Sequence, residues 1–414
     1  MIEPAHTRCC IAGGGPAGMM LALLLARAGV DCIVLEKHGD FLRDFRGDTV
    51  HPSTLEVMHE LGILDSFLQR PHDKARDVSG FFGETRVVIA DFSRLRRLRC
   101  GFIAMMPQWE FLDFLHDEAV LYPGFHLRMQ AEAKSLIEEA GRIVGVRAST
   151  PEGEVEIRAD LVIGADGRRS KVRDAAGLKV QNLGAPIDVL WMRISKQPTD
   201  ESGSGGRFGT GHFMAMIDRR TYWQCAYVIH KGGIEAIRAR GLEAFRSDVA
   251  RLAPIFADRI DRDLATWDDV KLLSVSVDRL EQWWRPGLLC IGDAAHAMSP
   301  IGGVGINLAV QDAVAAANIL AAPLADPSMD ADSLTPFLAQ VQERRMFPTR
   351  VTQSVQVAAQ DNLISPLLDS TRPPRMPFAL KLLNWFPALR AVPAYAIGVG
   401  VRPEHVQTPK ATAG

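Results

Sequence analysis

Hydrophobic residues at the start of the chain fall into a short run, a longer run and a second short run, with glycines at the first junction. The first run reads RCCIA, the longer one PAGMMLALLLARAG and the third DCIVLEK. A short apolar run is typical of a buried strand, whereas a run of about ten residues or more favours a helix. The pattern predicts a strand, a helix that ends near Gly29 and a second strand.

The glycines at the first junction follow the spacing G-x-G-x-x-G at Gly13, Gly15 and Gly18. In a strand–turn–helix unit, the first glycine permits a tight turn, the second lets the backbone approach a diphosphate, and the third allows close packing. Pro16 suits the first helical turn, and a helix N-terminus offers free amides to an anion. Glu36 follows Gly18 by 18 residues, near the roughly 20 expected for a ribose-binding carboxylate. This pattern predicts a Rossmann-like site for NAD, NADP or FAD.

Two later segments also combine a strand-like run with a polar turn and the start of a helix. ADLVIGADGRRSKVRDAAG, over 159–177, places Asp166 after the predicted strand and Ser170 where a helix cap is expected. CIGDAAHAMSPIGGVGIN, over 290–307, places the carboxylate of Asp293 after an apolar run and then a glycine run before a helix. Each segment alone fits many α/β proteins.

Together the three segments resemble the class A flavoprotein monooxygenases, the family of para-hydroxybenzoate hydroxylase. That family has an N-terminal G-x-G-x-x-G, a central motif D-G-x-x-S-x-x-R and a later series G-D-A-A-H, P and G-x-N. Here these are Gly13 to Gly18, Asp166 to Arg173 and Gly292 to Asn307, in the same order. The resemblance implies an α/β fold: a Rossmann-like FAD-binding domain with an interleaved, mainly antiparallel β-sheet substrate domain.

The resemblance also implies that FAD, bound noncovalently, is the ligand of these segments. Asp293 is expected to bind the ribityl group and Pro300 to lie beside the flavin ring. The segment from Gly302 to Asn307 is expected to bring a helix N-terminus to the N1/O2 edge, where reduced flavin is anionic. Arg46 is expected near the diphosphate or flavin, and Gln108 against the ribityl group. The full cofactor-binding set implied in this way is Gly13, Gly15, Ala17, Gly18, Glu36, Lys37, Arg46, Gln108, Asp166, Gly167, Asp293, Pro300, Gly303, Gly305, Ile306 and Asn307.

Two histidines lie within or beside these motifs. His296 follows two alanines at a strand-to-loop junction, which favours a structural role over a catalytic one. His51 is expected near the flavin, but a covalent histidyl link is disfavoured because the family usually holds FAD noncovalently. No nucleophile–base set and no metal-ligand spacing appears in the sequence, so neither a catalytic side chain nor a metal is assigned.

The resemblance divides the sequence into three parts. They are an FAD-binding domain over 1–75, 100–180 and 276–365, a substrate domain over 76–99 and 181–275, and a C-terminal helical, Pro-rich segment over 366–414. The C-terminal segment is expected to pack on the FAD-binding domain. Peripheral membrane contact and a dimer contact remain alternatives for this segment.

In the substrate domain, LWMRISK, GHFMAMID and TYWQCAYVIH are strand-like, and SGSGGRFGTG is expected to be a flexible loop. Alternation places His212, Met214 and Met216 on one face of the second strand, and Tyr222 and Gln224 on one face of the third. These five residues are the candidate substrate-lining positions. Aromatic residues and methionines with few charges suit a flat apolar or phenolic substrate.

Composition sets further limits. The chain has 414 residues, 47% hydrophobic and 23% charged, with a net charge of −2, which is typical of a globular protein of one large or two modest domains. The near-neutral balance argues against nucleic acid or an anionic membrane as the main partner. Neither an export signal nor an uninterrupted apolar run of roughly 20 residues is visible. Six scattered cysteines suit buried thiols in a reducing cytoplasm, so a cytoplasmic monomer or homodimer is expected.

The resemblance implies a mechanism in which NAD(P)H reduces FAD, O₂ adds to form a flavin C4a-hydroperoxide, and one oxygen atom passes to an aromatic or other electron-rich small molecule. A second G-x-G-x-x-G is absent, so no separate NAD(P)H domain is expected. A flavin-dependent reductase or dehydrogenase on the same fold is the alternative, and a non-enzymatic flavin-bearing redox sensor is a third hypothesis. A halogenase is disfavoured because no W-x-W-x-I-P motif appears.

Overall fold

The computed structural model describes residues 5–42, 49–83, 85–200, 203–374 and 376–411. In these ranges the chain forms twenty β-strands: β1 (Ala5–Ala12), β2 (Cys32–Leu35), β3 (Thr49–Val50), β4 (Asp73–Ala75), β5 (Asp77–Phe82), β6 (Thr85–Asp91), β7 (Ile103–Met105), β8 (Phe125–Arg128), β9 (Glu132–Glu139), β10 (Arg142–Thr150), β11 (Gly153–Gly164), β12 (Val180–Asn182), β13 (Ile187–Ser195), β14 (Gly205–Gly209), β15 (His212–Asp218), β16 (Tyr222–His230), β17 (Lys271–Leu273), β18 (Asp278–Leu280), β19 (Trp284–Arg285) and β20 (Leu288–Cys290).

The same ranges form thirteen α-helices: α1 (Pro16–Arg27), α2 (Pro52–Glu60), α3 (Leu64–Phe67), α4 (Gln108–Ala119), α5 (Lys171–Ala175), α6 (Ile234–Arg240), α7 (Leu242–Leu252), α8 (Ile260–Asp263), α9 (Gly305–Ala325), α10 (Thr335–Ala359), α11 (Ser365–Leu368), α12 (Phe378–Trp385) and α13 (Ala391–Gly398). One π-helical turn, Gln360–Ile364, joins α10 to α11. Short 3-10 turns lie at Phe92–Arg94, Pro254–Phe256, Trp267–Asp269, Gly292–Ala294, Ile301–Gly303, Ala331–Leu334 and Pro387–Arg390.

The largest sheet has eight strands and contains the N-terminal strand. Its main path is β19-β20-β11-β1-β2-β8, and β10 and β9 extend it from β11 as antiparallel strands. Strands β20, β11, β1, β2 and β8 are parallel to one another, so their carboxyl ends lie along one edge. Both faces are buried, as parallel sheets require: Cys9 and Ile11 of β1 belong to one apolar cluster, and Cys10 and Ala12 to another.

Helices α1, α4, α9 and α10 pack together on one face of this sheet. The stretch Ile301–Ala325, which includes α9, is long and apolar enough to cross a membrane by length and composition, with a mean hydropathy of 1.5. Within the described ranges it is the single helix of that kind, and 78% of its apolar window is buried inside the fold. In this structure α9 is therefore a core helix.

A second sheet of seven strands has the order β17-β13-β16-β15-β14-β5-β6. Its neighbouring strands are antiparallel, except that β14 and β5 run parallel. One face of this sheet packs on α6, α7 and α8. The opposite face contacts Ile301, the residue after Pro300. The predicted α/β fold with a second, mainly antiparallel sheet is confirmed, whereas the domain boundaries stay a prediction.

In the second sheet, the predicted strands are present, but part of the predicted loop is a strand. The three predicted strands are confirmed as β13, β15 and β16. The loop predicted for SGSGGRFGTG is wrong in part, because Gly205–Gly209 forms β14 between β15 and β5. A Cβ at Gly206 would lie 2.8 Å from the ring of Phe213. These glycines therefore allow aromatic rings to pack against the strand and do not mark a flexible loop.

The six cysteines are free and buried, as expected from their scattered positions. Burial raises the pKa of Cys10 and Cys32 to about 12. These thiols stay protonated and pack as small apolar side chains.

Candidate active site

The three motif segments meet at the carboxyl ends of four neighbouring parallel strands. The register places Ala12 level with Leu35 and Gly164, and Gly164 level with Cys290. In open α/β sheets, ligands bind along this edge. The structure thereby brings together residues far apart in the sequence, namely Gly13, Gly15, Ala17, Gly18, Glu36, Asp166, Gly167 and Asp293.

The glycines of the first turn have two different roles. Gly13 has a φ of +112°, and a Cβ there would lie 2.3 Å from the carbonyl oxygen of Ala165. A Cβ at Gly18 would lie 2.0 Å from the carbonyl oxygen of Gly13, so both positions are required by packing. At Gly15, by contrast, no atom of the described residues lies within 4 Å of the Cβ position. The N-cap of α1 is Gly15, which has no side chain to cap the helix, so the first amides are available to an anion.

Glu36 ties the end of β2 to this turn. Its carboxylate is buried and accepts hydrogen bonds from the backbone N–H of Gly14 at 3.1 Å and of His38 at 3.0 Å. Lys37, the next residue, is exposed. Ala17 lies against the turn that holds Asp293, since a Cβ placed on Gly292 would be 3.1 Å from the Cβ atom of Ala17.

Of two further residues predicted to bind the cofactor, Gln108 lies within the described residues and Arg46 does not. Gln108 is half-buried and is the first residue of α4, after Pro107. Arg46 lies outside the described residues.

The central motif caps a short helix. Ser170 is the N-cap of α5 and accepts a hydrogen bond from the N–H of Arg173 at 2.9 Å. Asp166 accepts from the hydroxyl of Ser170 at 2.5 Å and from the N–H of Lys171 at 2.7 Å. Burial raises the pKa of Asp166 in spite of these donors. Its carboxylate therefore has a structural task, which the cofactor-binding assignment did not foresee.

Asp293 lies in the 3-10 turn Gly292–Ala294, about one third exposed. Its carboxylate oxygen is 3.5 Å from the guanidinium of Arg168, which comes from the central motif. The two motifs are thus joined by an ion pair at the ligand edge.

The turn after Pro300 presents backbone to the same region. Gly302 and Gly303 have φ values of +80° and +64°, a conformation that favours glycine. Helix α9 begins at Gly305, its N-cap residue Val304 makes no capping hydrogen bond, and among the residues that the structure describes none has an atom within 4 Å of a Cβ position at Gly305. Ile306 is buried in the core, so its backbone alone is available. This second uncapped helix N-terminus also suits an anionic group.

Side chains from β3 and from the start of α2 hold this turn in place. The carbonyl oxygen of Gly303 accepts from the Thr49 hydroxyl at 2.8 Å. The Oδ1 atom of Asn307 accepts from the hydroxyls of Ser53 at 2.6 Å and Thr54 at 2.9 Å. Because these two hydroxyls donate, the oxygen end of the Asn307 amide faces α2.

Both ring nitrogens of His51 face backbone carbonyls. Nδ1 lies 2.9 Å from the carbonyl oxygen of Ile397 in α13, and Nε2 lies 3.0 Å from that of Gly303. Burial lowers the pKa of His51 to about 4, although the two carbonyls favour the charged form. The ring therefore lies between the C-terminal segment and the glycine turn, and both nitrogens have backbone carbonyls as neighbours.

A buried ionic network supports the turn that holds Asp293. Asp312 of α9 accepts from the Gly292 N–H at 3.0 Å, from His296 Nε2 at 2.5 Å and from Arg345 Nε at 2.9 Å. Arg345 also contacts Glu404 at 3.3 Å. Burial opposes ionisation of Asp312, but His296 and Arg345 outweigh it and hold the pKa of this carboxyl below its ordinary value. His296 thus has the structural placement that its sequence context favoured.

Three glutamines supply hydrogen bonds to the irregular backbone around Pro300. Gln356 accepts from the Ser299 N–H at 3.2 Å and donates to the Ser299 and Ile301 carbonyls, both at 2.9 Å. Gln353 donates to the Ala297 carbonyl at 3.1 Å, and Gln360 to the Ser299 hydroxyl at 2.7 Å. These side chains are buried, so the loop has polar partners without water.

Sequence reasoning missed Asp312, Arg345 and the three glutamines, although a signal was present. Asp312 is a lone acid within an apolar helix, and such a residue is expected to be buried and paired. Gln353, Gln356 and Gln360 recur at helical spacing and so share one face. Neither pattern predicts which residues these side chains bind, because their hydrogen-bond partners lie in distant segments of the sequence.

Comparison with known proteins agrees with this geometry. A family profile described as "FAD binding domain" matches residues 6–354. The chain is 33% identical over 395 residues to 6-methylpretetramide 4-monooxygenase of Streptomyces rimosus, covering 94% of this chain and 92% of that protein. The chain belongs to the class A FAD-dependent monooxygenases.

Solved structures share the fold of this monooxygenase. A probable FAD-dependent monooxygenase of Pseudomonas aeruginosa has a TM-score of 0.72 and 21% identity, covering 94% of this chain and 99% of that one. The p-nitrophenol 4-monooxygenase of Pseudomonas putida has a TM-score of 0.67 and 18% identity, covering 95% of this chain and 94% of that one. At these identities the likeness concerns the fold alone.

The five predicted substrate-lining residues lie on two opposite faces of the second sheet. Met214 and Met216 are buried among Phe245, Val249 and other residues of the α6–α8 side. His212 accompanies them, since its Nδ1 lies 2.5 Å from the hydroxyl of Tyr227 in that same cluster. Alternation therefore grouped His212, Met214 and Met216 correctly, but they lie on the face opposite Ile301. Their assignment as substrate-lining residues stays a prediction, and this placement counts against it.

Tyr222 and Gln224 lie on the other face, which contacts Ile301. Their assignment as substrate-lining residues stays a prediction. Tyr222 lies under the guanidinium of Arg193 at 3.9 Å, and Gln224 accepts from Arg219 at 3.2 Å. Both contacts keep polar groups at one border of this face.

The middle of this face is a row of small residues, which we call the trough. The rings of Phe208 and Phe213 cover its glycine end, and Ala215 and Ala226 lie in the apolar cluster that includes Ile301. Strand registers align Gly80, Gly206, Ala215 and Ala226 across four adjacent strands, with Trp191 next in the row. The row beside them is aromatic: the rings of Phe82 and Phe208 stack at 4.4 Å, and those of Phe208 and Phe213 at 4.7 Å. The buried indole N–H of Trp191 has no acceptor among the described residues, which is expected where a ligand or water supplies one.

We expect Asp312→Asn to lower the free energy of unfolding by about 3 kcal/mol, because the buried guanidinium of Arg345 loses the negative charge that neutralises it. FAD affinity should fall as well, since Gly292 and its neighbour Asp293 lose their support. Urea unfolding of the apoprotein and a fluorescence titration with FAD would measure the two effects. The exposed Asp361→Asn is the matched control, and equal stability of both variants would contradict the assigned role.

The same variant gives a pH test. The folded-state pKa of Asp312 lies below its unfolded value of about 3.9. Its stabilising contribution is therefore full above that value and is lost as the pH falls through the folded-state pKa. The difference in unfolding free energy between wild type and Asp312→Asn should shrink below about pH 4. A difference that stays constant down to the acid transition would contradict this sign.

Proposed function

We propose that this monooxygenase uses NAD(P)H and O₂ to hydroxylate a flat aromatic small molecule. One oxygen atom of O₂ enters a C–H bond of the substrate, and the other leaves as water with two electrons from NAD(P)H and one added proton. The observation that carries the proposal is the trough of small residues that faces the Pro300–Gly303 turn. The relative that is 33% identical to this chain is named for the oxygenation of 6-methylpretetramide, which supports an aromatic substrate.

The residues at the ligand edge fit FAD held without a covalent bond. We assign the diphosphate to the open space before Gly15 and the N-terminus of α1, with Glu36 and Lys37 at the adenosine ribose. Asp293 and Gln108 are assigned to the ribityl group. Arg46, outside the described residues, keeps its predicted place near the diphosphate or flavin. The fit is supported by two uncapped helix N-termini and by glycines whose Cβ positions are empty.

When bound, FAD supplies the acceptance of hydride from NAD(P)H and the activation of O₂. The protein's own residues provide the surroundings. The first amides of α9, from Gly305 to Asn307, would stabilise negative charge at the flavin edge, and Gly303 would place the backbone of the preceding turn beside it. The three glutamines hold the backbone beside Pro300 without water, which would limit the loss of activated oxygen as hydrogen peroxide.

The second sheet orients the substrate. A planar ring system fits between the small residues Ala215 and Ala226 and the bordering phenylalanines, which offer stacking contacts. The N–H of Trp191 supplies a hydrogen-bond donor at one end of the trough, and Gln224 an amide at the border. These polar groups fix which ring carbon approaches the Pro300 turn.

The decisive experiment follows NAD(P)H oxidation by the FAD-loaded protein with a panel of phenols, quinolones and polyketide-like aromatics under ¹⁸O₂. We expect at least one aromatic to accelerate oxidation and to gain one labelled oxygen atom. Acceleration without label would favour the reductase alternative, and the hydrogen peroxide yield would distinguish uncoupling from it. The absence of acceleration by every compound would remove support for an aromatic substrate while leaving FAD binding intact.

Two alanine variants separate ligand contact from packing in the first turn. Gly15→Ala should weaken FAD binding by about tenfold or more, since the methyl enters ligand space, with little loss of apoprotein stability. Gly18→Ala should instead destabilise the apoprotein by about 1–3 kcal/mol, because its Cβ would meet the Gly13 carbonyl. FAD titration and urea unfolding of both variants would measure this. The reverse pattern would place the ligand elsewhere.

Filling the trough with a larger side chain should impair use of the substrate. Ala215→Leu should lower kcat/KM for the identified substrate by about tenfold or more, because the side chain fills the space for the ring. FAD affinity should stay near wild type. Met214→Leu is the matched control, since it lies on the same strand but points into the core behind the sheet. An equal effect of both substitutions would mean that the sheet, rather than the trough, was perturbed.

A further inference from the structure

Exposed aromatic residues are concentrated in the C-terminal segment. Among the described residues, five aromatic side chains are strongly exposed, and four of them lie between 378 and 395. Trp385 is 64% exposed and Phe378 is 70% exposed, and their rings meet edge to face at 6.2 Å. We call the following set the aromatic face: Phe378, Trp385, Phe386, Leu389, Val392 and Tyr395. A contiguous exposed apolar surface of this kind marks an interaction site.

This exposure belongs to an ordered surface. Ala394 and Val399 of the same segment are buried in an apolar cluster with Ala90 and Phe92. The carbonyl of Gly398 accepts a hydrogen bond from the Ser53 hydroxyl at 3.2 Å, and that of Ile397 contacts His51. The inner side of the segment is therefore fixed to the protein, and the aromatic face is the side left outward.

The charge of the segment is of one sign. From 370 to 403 the sequence has five cations, Arg372, Arg375, Lys381, Arg390 and Arg402, and no Asp or Glu. The whole protein carries −2, which leaves −7 for the remainder. The near-neutral total therefore conceals a cationic, aromatic-rich segment on an otherwise acidic protein, and the expectation drawn from the total does not apply to this surface.

We propose that the aromatic face docks on the surface of an anionic phospholipid bilayer. Tryptophan, tyrosine and phenylalanine partition to the boundary between headgroups and acyl chains, where one side of the ring is apolar and the other wet. Neighbouring lysine and arginine side chains are attracted by anionic headgroups. The two features occur here within one short segment, and the acidic remainder of the protein is repelled from that surface.

A second copy of the protein is the competing occupant. In a two-fold dimer the same surface meets itself, so two segments that each carry only cations would be brought together around an apolar contact. That arrangement is unfavourable without intervening anions. Charge complementarity therefore favours the bilayer.

The test is co-sedimentation of the full-length, FAD-loaded protein with vesicles of phosphatidylglycerol and phosphatidylcholine mixed one to one, compared with phosphatidylcholine alone. We expect about tenfold stronger binding to the anionic vesicles at low salt, weakening as salt screens the charges. Trp385→Ser with Phe386→Ser should reduce binding about tenfold. Arg372→Glu with Lys381→Glu should abolish the preference for anionic lipid.

Leu121→Ser is the control, since Leu121 is 72% exposed but lies outside the aromatic face; it should bind vesicles as the wild type does. FAD absorbance of each variant would show that it is folded. Equal binding to both vesicle types, or no effect of either double substitution, would overturn the proposal. Sedimentation velocity would test for a second copy of the protein on this face. If the wild type were a dimer that bound no vesicles, and Trp385→Ser with Phe386→Ser were a monomer, the aromatic face would be a self-association interface and the proposal would be overturned.

Discussion

The ligand edge of this monooxygenase depends on one buried carboxylate. Asp312 lies in an apolar core helix, where an unpaired charge is prohibitively costly, so its three partners must be in place for the fold to form. Those partners belong to the Asp293 turn and to α10, and Arg345 extends the network to Glu404 near the C-terminus. A single charge thereby fixes the position of the Asp293 turn relative to two helices and to Glu404.

The remaining irregular backbone around the site follows the same rule. A loop that must stay open to a ligand on one side cannot bond to itself as a helix or strand does. Here Gln356 and Gln353 supply the missing donors and acceptors from α10, and Asn307, held by Ser53 and Thr54, joins α9 to α2. His51 closes the arrangement by joining the glycine turn to α13. Each partner comes from a rigid helix or its first residues, so the loop is rigid without being regular.

The two sheets divide the tasks of the enzyme. The parallel sheet collects the family motifs at one edge, and this arrangement is shared with relatives of low identity. The antiparallel sheet presents a face whose small row includes Gly206, Ala215 and Ala226, and Ile301 of the turn after Pro300 packs against this face. If the substrate binds there, as we propose, substitutions in that row would change the shape of the substrate site without touching the motif edge of the parallel sheet.

The sequence alone determined what short-range physics controls: the strand–turn–helix at Gly13, the carboxylate at Glu36, the cap at Ser170 and the alternation in β15. Each depends on residues a few positions apart, or on a motif with a known geometry. Only the tertiary structure decided which face of β15 packs on α6–α8 and which contacts Ile301, because period-two alternation is symmetric between the two faces; it groups Met214 with Met216 and Phe213 with Ala215 but does not say on which side of the sheet each pair lies. Only the tertiary structure paired Asp312 with its distant partners, since hydrogen-bond partners across the core are chosen by packing and leave no periodic trace along the sequence.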